Sequence, residues 1–126
     1  MAETLPERAL TSNPVLREML EAGGVCLWET DLTTDVTVYQ DGFWEQYGYS
    51  TASLANTRDL LKVVHPDDAR AMSRAFRAHL AGETPFYQAV WRVVSPSGEV
   101  RWLLSRGKVT ERAADGTPMR MLGAYN

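Results

Sequence analysis

The sequence predicts an α+β domain, in which helices pack against one face of a single antiparallel β-sheet. Strand-like segments rich in β-branched and aromatic residues fall into two groups, residues 25–39 and 86–125, with helical patterns between them. Clusters of turn-forming residues separate neighbouring strand segments, which favours antiparallel hairpins over long crossovers. Helices that are grouped between two runs of strands are typical of the α+β class.

The first predicted helix starts at Pro14. Asn13, directly before it, is a favourable N-cap, and proline suits the first helical position. The apolar residues at positions 15, 16, 19 and 20 share one side of this helix, and Gly23-Gly24 ends it. Nothing local covers the apolar side, so we expect the helix to dock elsewhere.

The predicted sheet consists of a hairpin followed, after the helices, by three longer strands. The hairpin turns at residues 33–35, and turn clusters at 95–98 and 115–118 separate the last three strands. The predicted strands are Val25–Leu32, Val36–Tyr39, Phe86–Val94, Glu99–Thr110 and Met119–Tyr125.

Short helical pieces are predicted between Asp41 and Val64, and one long helix from about Asp67 to Ala81. Pro66 stops the preceding segment, and an aspartate after it is expected to cap the helix and to favour its positive end. The two faces of the long helix differ in chemistry. Ala69, Met72, Phe76, His79 and Leu80 share one side, and Arg70, Arg74 and Arg77 line the opposite one.

The last three strands carry apolar side chains on both faces of the predicted sheet. A sheet with one solvated face would alternate apolar and polar residues, but here Trp91 and Leu103 of one face alternate with Val90, Trp102 and Leu122 of the other. Both faces therefore need cover. We expect the helix after Asn13, or a second subunit, to cover the face that the other helices leave open.

Length and composition limit the classes of function. The 126 residues carry a formal net charge of −3, with 44% hydrophobic and 23% charged residues, as in an ordinary globular domain. The pI near 5.3 argues against a nucleic-acid-binding surface, and one cysteine cannot form an intrachain disulfide. No apolar run approaches the ~20 residues of a membrane-spanning helix, and the N-terminus lacks a signal-peptide pattern. We therefore expect a cytoplasmic domain without membrane insertion.

Several short motifs follow one another along most of the chain. In order they are Trp28-Glu29-Thr30-Asp31-Leu32, Phe43-Trp44 with Tyr47-Gly48-Tyr49, Val64-His65-Pro66-Asp67-Asp68, His79-Leu80-Ala81-Gly82, Trp91-Arg92-Val93, Gly98-Glu99-Val100-Arg101-Trp102, and Asp115-Gly116-Thr117-Pro118 before Leu122-Gly123. Together they resemble a PAS domain with its C-terminal PAC motif, of the Trp-rich, HPDD-containing subtype found in bacterial sensor proteins. One departure is Val90, because this subtype usually carries an acidic residue there.

The resemblance implies a PAS fold: a five-stranded antiparallel sheet curled around a small cavity. It divides the chain into residues 1–23, an N-terminal segment with a capping or dimerisation helix, and residues 24–126, a PAS/PAC sensor domain. The residues that are then expected to bind a ligand are Trp28, Thr30, Phe43, Tyr47, Met72, Phe76, His79, Tyr87, Trp91, Leu103, Ser105, Met121 and Tyr125. The alternative is that these aromatic residues form a packed core around a collapsed cavity. The direction of Trp44 stays open.

Three places in the sequence bear on metal or cofactor binding: His65, His79 and the position of the cysteine. His65 with one nearby carboxylate offers too few ligands, so no metal site is expected. Some PAS domains ligate haem iron through a histidine of the corresponding helix, which would be His79 here, and the alternative is a hydrogen-bonded histidine near the helix end. LOV-type flavin adducts need a cysteine within Thr57–Val64, which has none, whereas Cys26 lies on the first strand. A flavin held without an adduct stays open, and no cofactor is assigned.

The resemblance implies a non-catalytic sensory module that relays a ligand or cofactor state through sheet and dimer packing. The expected partners are a second copy, bound through the N-terminal helix and the outer sheet face, and an effector such as a histidine kinase or diguanylate cyclase outside this chain; no nucleic acid is expected. The alternative is a small α+β cup enzyme with a pocket His or Asp as general acid or base. Against it, the inward-facing set contains no acidic residue and no histidine except His79.

Overall fold

A five-stranded antiparallel sheet with helices over its inner face forms the frame of the protein, as the sequence predicts. The structure is a computed structural model that describes residues 13–40 and 42–126. The helices are α1 (Pro14–Ala22), α2 (Thr57–Leu61) and α3 (Pro66–Leu80), with 3-10 helices at Trp44–Tyr47 and Thr51–Leu54. The strands are β1 (Cys26–Asp31), β2 (Val36–Tyr39), β3 (Tyr87–Val94), β4 (Val100–Arg112) and β5 (Pro118–Tyr125).

The strand order in the sheet is β2-β1-β5-β4-β3, so the last strand of the chain lies at the centre. The register places Trp28 of β1 opposite Gly123 of β5, and Gly123 opposite Gly107 of β4. These three residues therefore form one row across the middle of the sheet. Turns of the expected kind join the strands, with Gly98 (φ 89°) between β3 and β4 and Gly116 (φ 90°) between β4 and β5.

One face of the sheet is buried along most of its length, and its parity is the predicted one. Successive strand residues point to opposite faces, so a buried face takes every second residue. The buried inner-face residues are Cys26, Trp28, Thr30, Tyr39, Tyr87, Trp91, Val93, Leu103, Ser105, Val109, Met121 and Tyr125.

A cluster of aromatic rings lies over the centre of this face. Trp44, whose direction the sequence leaves open, is fully buried within it. Its ring centroid lies 5.6 Å from those of Tyr39 and Tyr125, and 6.5 Å from that of Trp91. Phe43 stacks on Tyr125 at 5.4 Å. Edge-to-face and offset contacts of this kind stabilise a core beyond the area that they bury.

Helix α3 begins with a histidine cap and not with the aspartate cap that the sequence suggests. The Nδ1 atom of His65 accepts a hydrogen bond from the backbone N of Asp67 at 3.1 Å, and Pro66 occupies the first helical position. The expectation of an aspartate cap is wrong because proline places His65, with its extended backbone, at the N-cap. Both aspartates lie in the first turn, where they favour the positive end of the helix.

Asp68 binds Arg92 of the edge strand β3. Its Oδ2 atom accepts hydrogen bonds from the backbone N and the Nε of Arg92 at 2.8 and 2.9 Å, and its Oδ1 accepts one from Nη2 at 2.8 Å. The guanidinium lowers the pKa of the Asp68 carboxyl. The segment before α3 also pairs with β3. The backbone N of His65 donates to the carbonyl oxygen of Arg92, and the backbone N of Val94 donates to the carbonyl oxygen of Val63, both at 2.8 Å. The start of α3 is thus held to β3.

The outer face of the sheet remains exposed in the single chain. Trp102 is 62% exposed and Val90 63%, while Val15 and Met19 on the apolar side of α1 are 66% and 65% exposed. Asn13 caps α1 as predicted, with Oδ1 accepting from two backbone N–H groups. The expectation that α1 covers the outer face of its own sheet is wrong, because neither apolar surface is buried against the other.

The ion pair between Asp68 and Arg92 predicts how stability responds to acid. The pKa of Asp68 is lower in the folded than in the unfolded state, so the ionised carboxylate stabilises the folded state. This stabilisation is complete above the unfolded-state pKa of about 3.9, and it is lost as the pH falls through the folded-state pKa. Asp68→Asn should therefore lower the free energy of unfolding at pH 7 and make little difference near pH 2, as measured by urea denaturation across pH.

The matched control is Asp67→Asn, which removes a carboxylate from the same helical turn. The side chain of Asp67 is 77% exposed. We expect this variant to stay close to the parent at every pH. A gap between the two variants that is as large at pH 2 as at pH 7 would contradict the assignment of stability to the Asp68–Arg92 pair.

Candidate functional site

A cavity of about 240 Å³ lies between the inner face of the sheet and helices α2 and α3. Strand residues form its floor, and the two helices form the wall that faces them. The lining residues are Trp28, Thr30, Thr37, Tyr39, Asn56, Thr57, Leu60, Leu61, Met72, Ser73, Phe76, Arg77, Tyr87, Ser105 and Tyr125.

The floor of the cavity is set by Trp28, which lies directly on two glycines of neighbouring strands. A Cβ atom at Gly123 would lie 2.2 Å from Cζ2 of Trp28, and one at Gly107 would lie 2.7 Å from Cη2. Both distances are far below van der Waals contact, so the indole lies where only glycine leaves room. The indole Nε1 of Trp28 has no hydrogen-bond partner among residues 13–40 and 42–126.

The polar groups of the floor are hydroxyls that bind one another, the backbone or a tryptophan indole. Oγ1 of Thr30 and Oγ1 of Thr37 are 2.7 Å apart, and the Tyr39 hydroxyl donates to the carbonyl of Leu54 at 2.8 Å. Ser105 accepts a hydrogen bond from Nε1 of Trp91 at 2.7 Å. Burial raises the pKa of the Tyr39 and Tyr87 hydroxyls well above the usual range, so both stay protonated.

Helix α3 contributes two parallel strips to the wall. Met72 and Phe76 are four residues apart and form an apolar strip, and Ser73 and Arg77, also four apart, form a polar strip beside it. Phe76 meets Tyr87 of the sheet edge-on, with ring centroids 5.4 Å apart. Arg77 is exposed, so the polar strip lies at the mouth.

About half of the predicted site residues line this cavity. They are Trp28, Thr30, Met72, Phe76, Tyr87, Ser105 and Tyr125. Trp91 and Met121 are fully buried in the core beside it. Phe43, Tyr47 and Leu103 line a second, more polar cleft of about 270 Å³ near the end of α1. These three residues therefore lie outside the lining of the first cavity, with Phe43 packed on Trp44 and Tyr125 in the aromatic cluster, and their role in ligand binding stays a prediction.

Comparison with known proteins decides the family. The PAS fold family matches residues 36–125, which is most of the chain. The chain belongs to the PAS fold family. This match and the sheet topology confirm the resemblance that the sequence motifs suggest, while the Trp-rich subtype stays a prediction.

Solved structures similar to this PAS domain come from sensor proteins. A sensory box histidine kinase/response regulator from Burkholderia thailandensis E264 is 27% identical, with a TM-score of 0.71 over 88% of this chain and 82% of that one. A domain assigned to a histidine kinase of Haloarcula marismortui is 25% identical, with a TM-score of 0.68 over 90% and 97%. These likenesses confirm the predicted class of sensory signal-transduction module.

A third likeness concerns the fold alone. The N-terminal domain of a diguanylate cyclase with a PAS/PAC sensor from Marinobacter aquaeolei has a TM-score of 0.70 at 16% identity, over 81% of this chain and 93% of that one. A comparison with curated proteins finds no match to the chain. Across the described residues, no helix is both long and apolar enough to span a membrane.

His79 does not fit the role of a haem ligand in this PAS domain. Its Nε2 atom accepts a hydrogen bond from the backbone N of Val109 at 2.9 Å, so the ring proton is on Nδ1, which lies 2.9 Å from the carbonyl oxygen of Thr84. Both ring nitrogens are therefore used, and His79 is buried away from the cavity lining. It joins α3 to β4 and the loop after α3.

Cys26 does not fit flavin adduct chemistry. It lines the second cleft and not the cavity, and burial raises the pKa of its thiol to about 12, so the reactive thiolate is scarce at neutral pH. In the described part of the chain, no group of three or more His, Cys, Asp or Glu side chains is placed to hold a metal ion.

The contact of Trp28 with glycine predicts the effect of one methyl group. Gly107→Ala should destabilise the domain by about 1–3 kcal/mol, because the new Cβ meets the indole and the core must shift. In a Trp28→Leu background the same change should cost clearly less. Urea denaturation of the two single variants and the double variant measures this coupling. Equal costs in both backgrounds would show that the indole is not what requires glycine at position 107.

Proposed function

We propose that this chain is a non-catalytic, cytoplasmic PAS sensory module whose inner cavity takes a small molecule. The observation that supports this most strongly is the cavity itself: a partly open space of about 240 Å³ with aromatic walls and a hydroxyl-lined floor, in a domain similar to domains of sensor proteins. Seven of its lining residues are the ones that the sequence predicts. A concave, mostly apolar site with a few convergent polar groups is typical of ligand binding.

The chemistry of the lining favours binding over catalysis. The cavity-lining residues, all within the described part of the chain, include no aspartate, glutamate or histidine, and these are the usual general acids and bases. The tyrosine hydroxyls stay protonated, and the threonine hydroxyls are bound to one another. The second hypothesis, a small cup enzyme, therefore lacks a proton-transfer group at this site.

Helix α3 connects the cavity to the opposite face of the sheet. Its middle turns line the cavity at Met72 and Phe76, and its first turn holds Arg92 through Asp68. The Cζ atom of Arg92 lies 4.9 Å from the ring centroid of Trp102, which is exposed on the outer face. In this proposal, a ligand that shifts α3 also shifts the guanidinium beneath Trp102, which changes the surface that a partner meets.

The outer face and α1 are the proposed dimer interface. The outer face combines exposed apolar residues with Arg92, Arg106 and Lys108, two of which lie over the ring of Phe86. Helix α1 combines an exposed apolar side with Glu18, Glu21 and one arginine, Arg17, so its side chains carry a net charge of −1. Apolar surface on both and opposite charge favour docking of α1 from a second copy onto this face. The effector, such as a kinase or cyclase domain, lies outside this chain.

The ligand proposal is tested by thermal unfolding with a panel of small one- and two-ring compounds that are neutral, cationic or anionic. A ligand at about 100 times its Kd stabilises the folded state by about 2.7 kcal/mol, so at least one compound should raise the Tm by several degrees. Leu60→Trp, which fills the cavity from α2, should abolish that rise. Arg58→Trp on the same helix, outside the lining, should keep it. No rise with any compound, or a rise that survives Leu60→Trp, would exclude a ligand in this cavity.

The dimer proposal predicts that Leu16→Glu with Leu20→Glu weakens self-association, because two charges then enter the apolar side of α1. Sedimentation velocity should show the parent as a dimer and this variant as a monomer at the same concentration. Ser97→Glu with Ala114→Glu places the same charge in exposed turns as a control and should sediment like the parent. If both variants sediment like the parent, α1 is not the interface.

A further inference from the structure

One guanidinium at the mouth of the cavity has no partner among the residues that the structure describes. Arg77 lines the cavity, yet it forms no ion pair and no side-chain hydrogen bond with the described residues 13–40 and 42–126. Two arginines of the sheet differ from it: Arg92 is held by Asp68 and Arg120 by Glu29. An arginine presents several N–H donors in a planar fork that matches a carboxylate in two places.

A second donor stands beside Arg77. Ser73 lies four residues earlier on α3, so the two side chains border the mouth one above the other. The adjacent polar residues of α2 are already used: Oγ1 of Thr57 donates to Oδ2 of Asp35 at 2.8 Å, and Asn56 exchanges hydrogen bonds with Asp59. The mouth therefore offers Ser73 and Arg77 to a ligand.

The charges around the cavity favour a single negative charge. Among the described residues that line the cavity, Arg77 is the one with a charged side chain and none is acidic. Asp35 lies behind Thr57, with its carboxylate held by the hydroxyl and backbone N of Thr57. One cation and one hydroxyl balance a carboxylate, whereas a phosphate dianion would keep an uncompensated charge.

The interior sets the shape of the rest of the ligand. A cavity of about 240 Å³ is below the roughly 300–1,000 Å³ of pockets that hold drug-sized ligands, so one ring or two fused rings fit best. Flat aromatic surfaces of Trp28, Phe76 and Tyr87 border it. Among the described residues the indole Nε1 atoms of Trp28, on the cavity floor, and of Trp44, in the core, have no acceptor, so this feature does not single out the cavity.

We propose that the cavity takes a small planar monocarboxylate, whose ring lies against Trp28 and Phe76 and whose carboxylate faces Arg77 and Ser73 at the mouth. This rests on the proposed function, since it names the chemical class of the ligand for the same cavity. The ring gives most of the apolar burial, and the guanidinium selects the charged molecule over its neutral analogue.

Isothermal titration calorimetry with benzoate, its neutral analogue benzamide, and acetate tests the proposal on the whole chain. Benzoate should bind the parent about tenfold or more tightly than benzamide, because a charge-assisted hydrogen bond is lost with the amide. Acetate, which has the carboxylate without the ring, should not bind measurably. Arg77→Gln should remove the preference for benzoate and leave benzamide unchanged. Arg74→Gln, a neighbouring arginine outside the lining, should leave both affinities at the parent value.

Three results would overturn the monocarboxylate. They are benzamide binding as tightly as benzoate, a benzoate preference that survives Arg77→Gln, and no binding of either ring compound. The panel of neutral, cationic and anionic compounds separates this failure from that of the proposed function. If a neutral or cationic compound from that panel binds and Leu60→Trp abolishes its binding, the cavity is a ligand site and only the carboxylate is wrong.

Discussion

The position of the Trp28 indole on Gly107 and Gly123 is the contact on which the rest of this PAS domain depends. The indole lies across three neighbouring strands, β1, β5 and β4, at a height that any side chain on the two glycines would forbid. It thereby places a flat aromatic surface at the floor of the cavity and keeps the sheet close beneath it. The ring of Tyr125 packs against Trp28 with their centroids 6.0 Å apart, and the ring of Tyr39 stacks on Tyr125 at 6.1 Å.

Helix α3 then connects the two faces of the molecule because each of its parts has a different partner. Its first turn is fixed to the edge strand by Asp68, its middle borders the cavity, and its end is held by His79 to the backbone of Val109. In the proposed relay, a ligand at the middle of α3 shifts the helix against these end contacts. Arg92 is bound to the first turn of α3 and lies beneath Trp102, so a shift of the helix would move Trp102 on the outer face through this arginine.

Much of this was predictable from local patterns, and the remainder depends on tertiary packing. The strands and the buried parity follow from period-two alternation and from turn residues such as Gly98 and Gly116, which act within a few positions. The position of Phe43 at the second cleft is not predictable from local patterns, because its stacking on Tyr125 joins residues far apart in sequence. The sequence pattern misses Arg77 because it groups this residue with Arg70 and Arg74 on the side away from the apolar residues, whereas the cavity borders α3 on two neighbouring strips and Arg77 lies on the second. The N-cap of α3 is His65 because Pro66 fixes the first helical position and so sets the backbone of the residue before it.

If a ligand in the inner cavity changes the surroundings of Trp102 on the outer face, the four indole N–H resonances of an assigned ¹H–¹⁵N spectrum will show it directly. In a titration with the panel compound that raises the Tm most, the Trp28 and Trp102 resonances should both move, with the same midpoint. Trp91, whose N–H is held by Ser105, should move less. If Trp28 shifts while Trp102 stays fixed through saturation, the cavity binds its ligand without reaching the surface and the account of signal relay is contradicted.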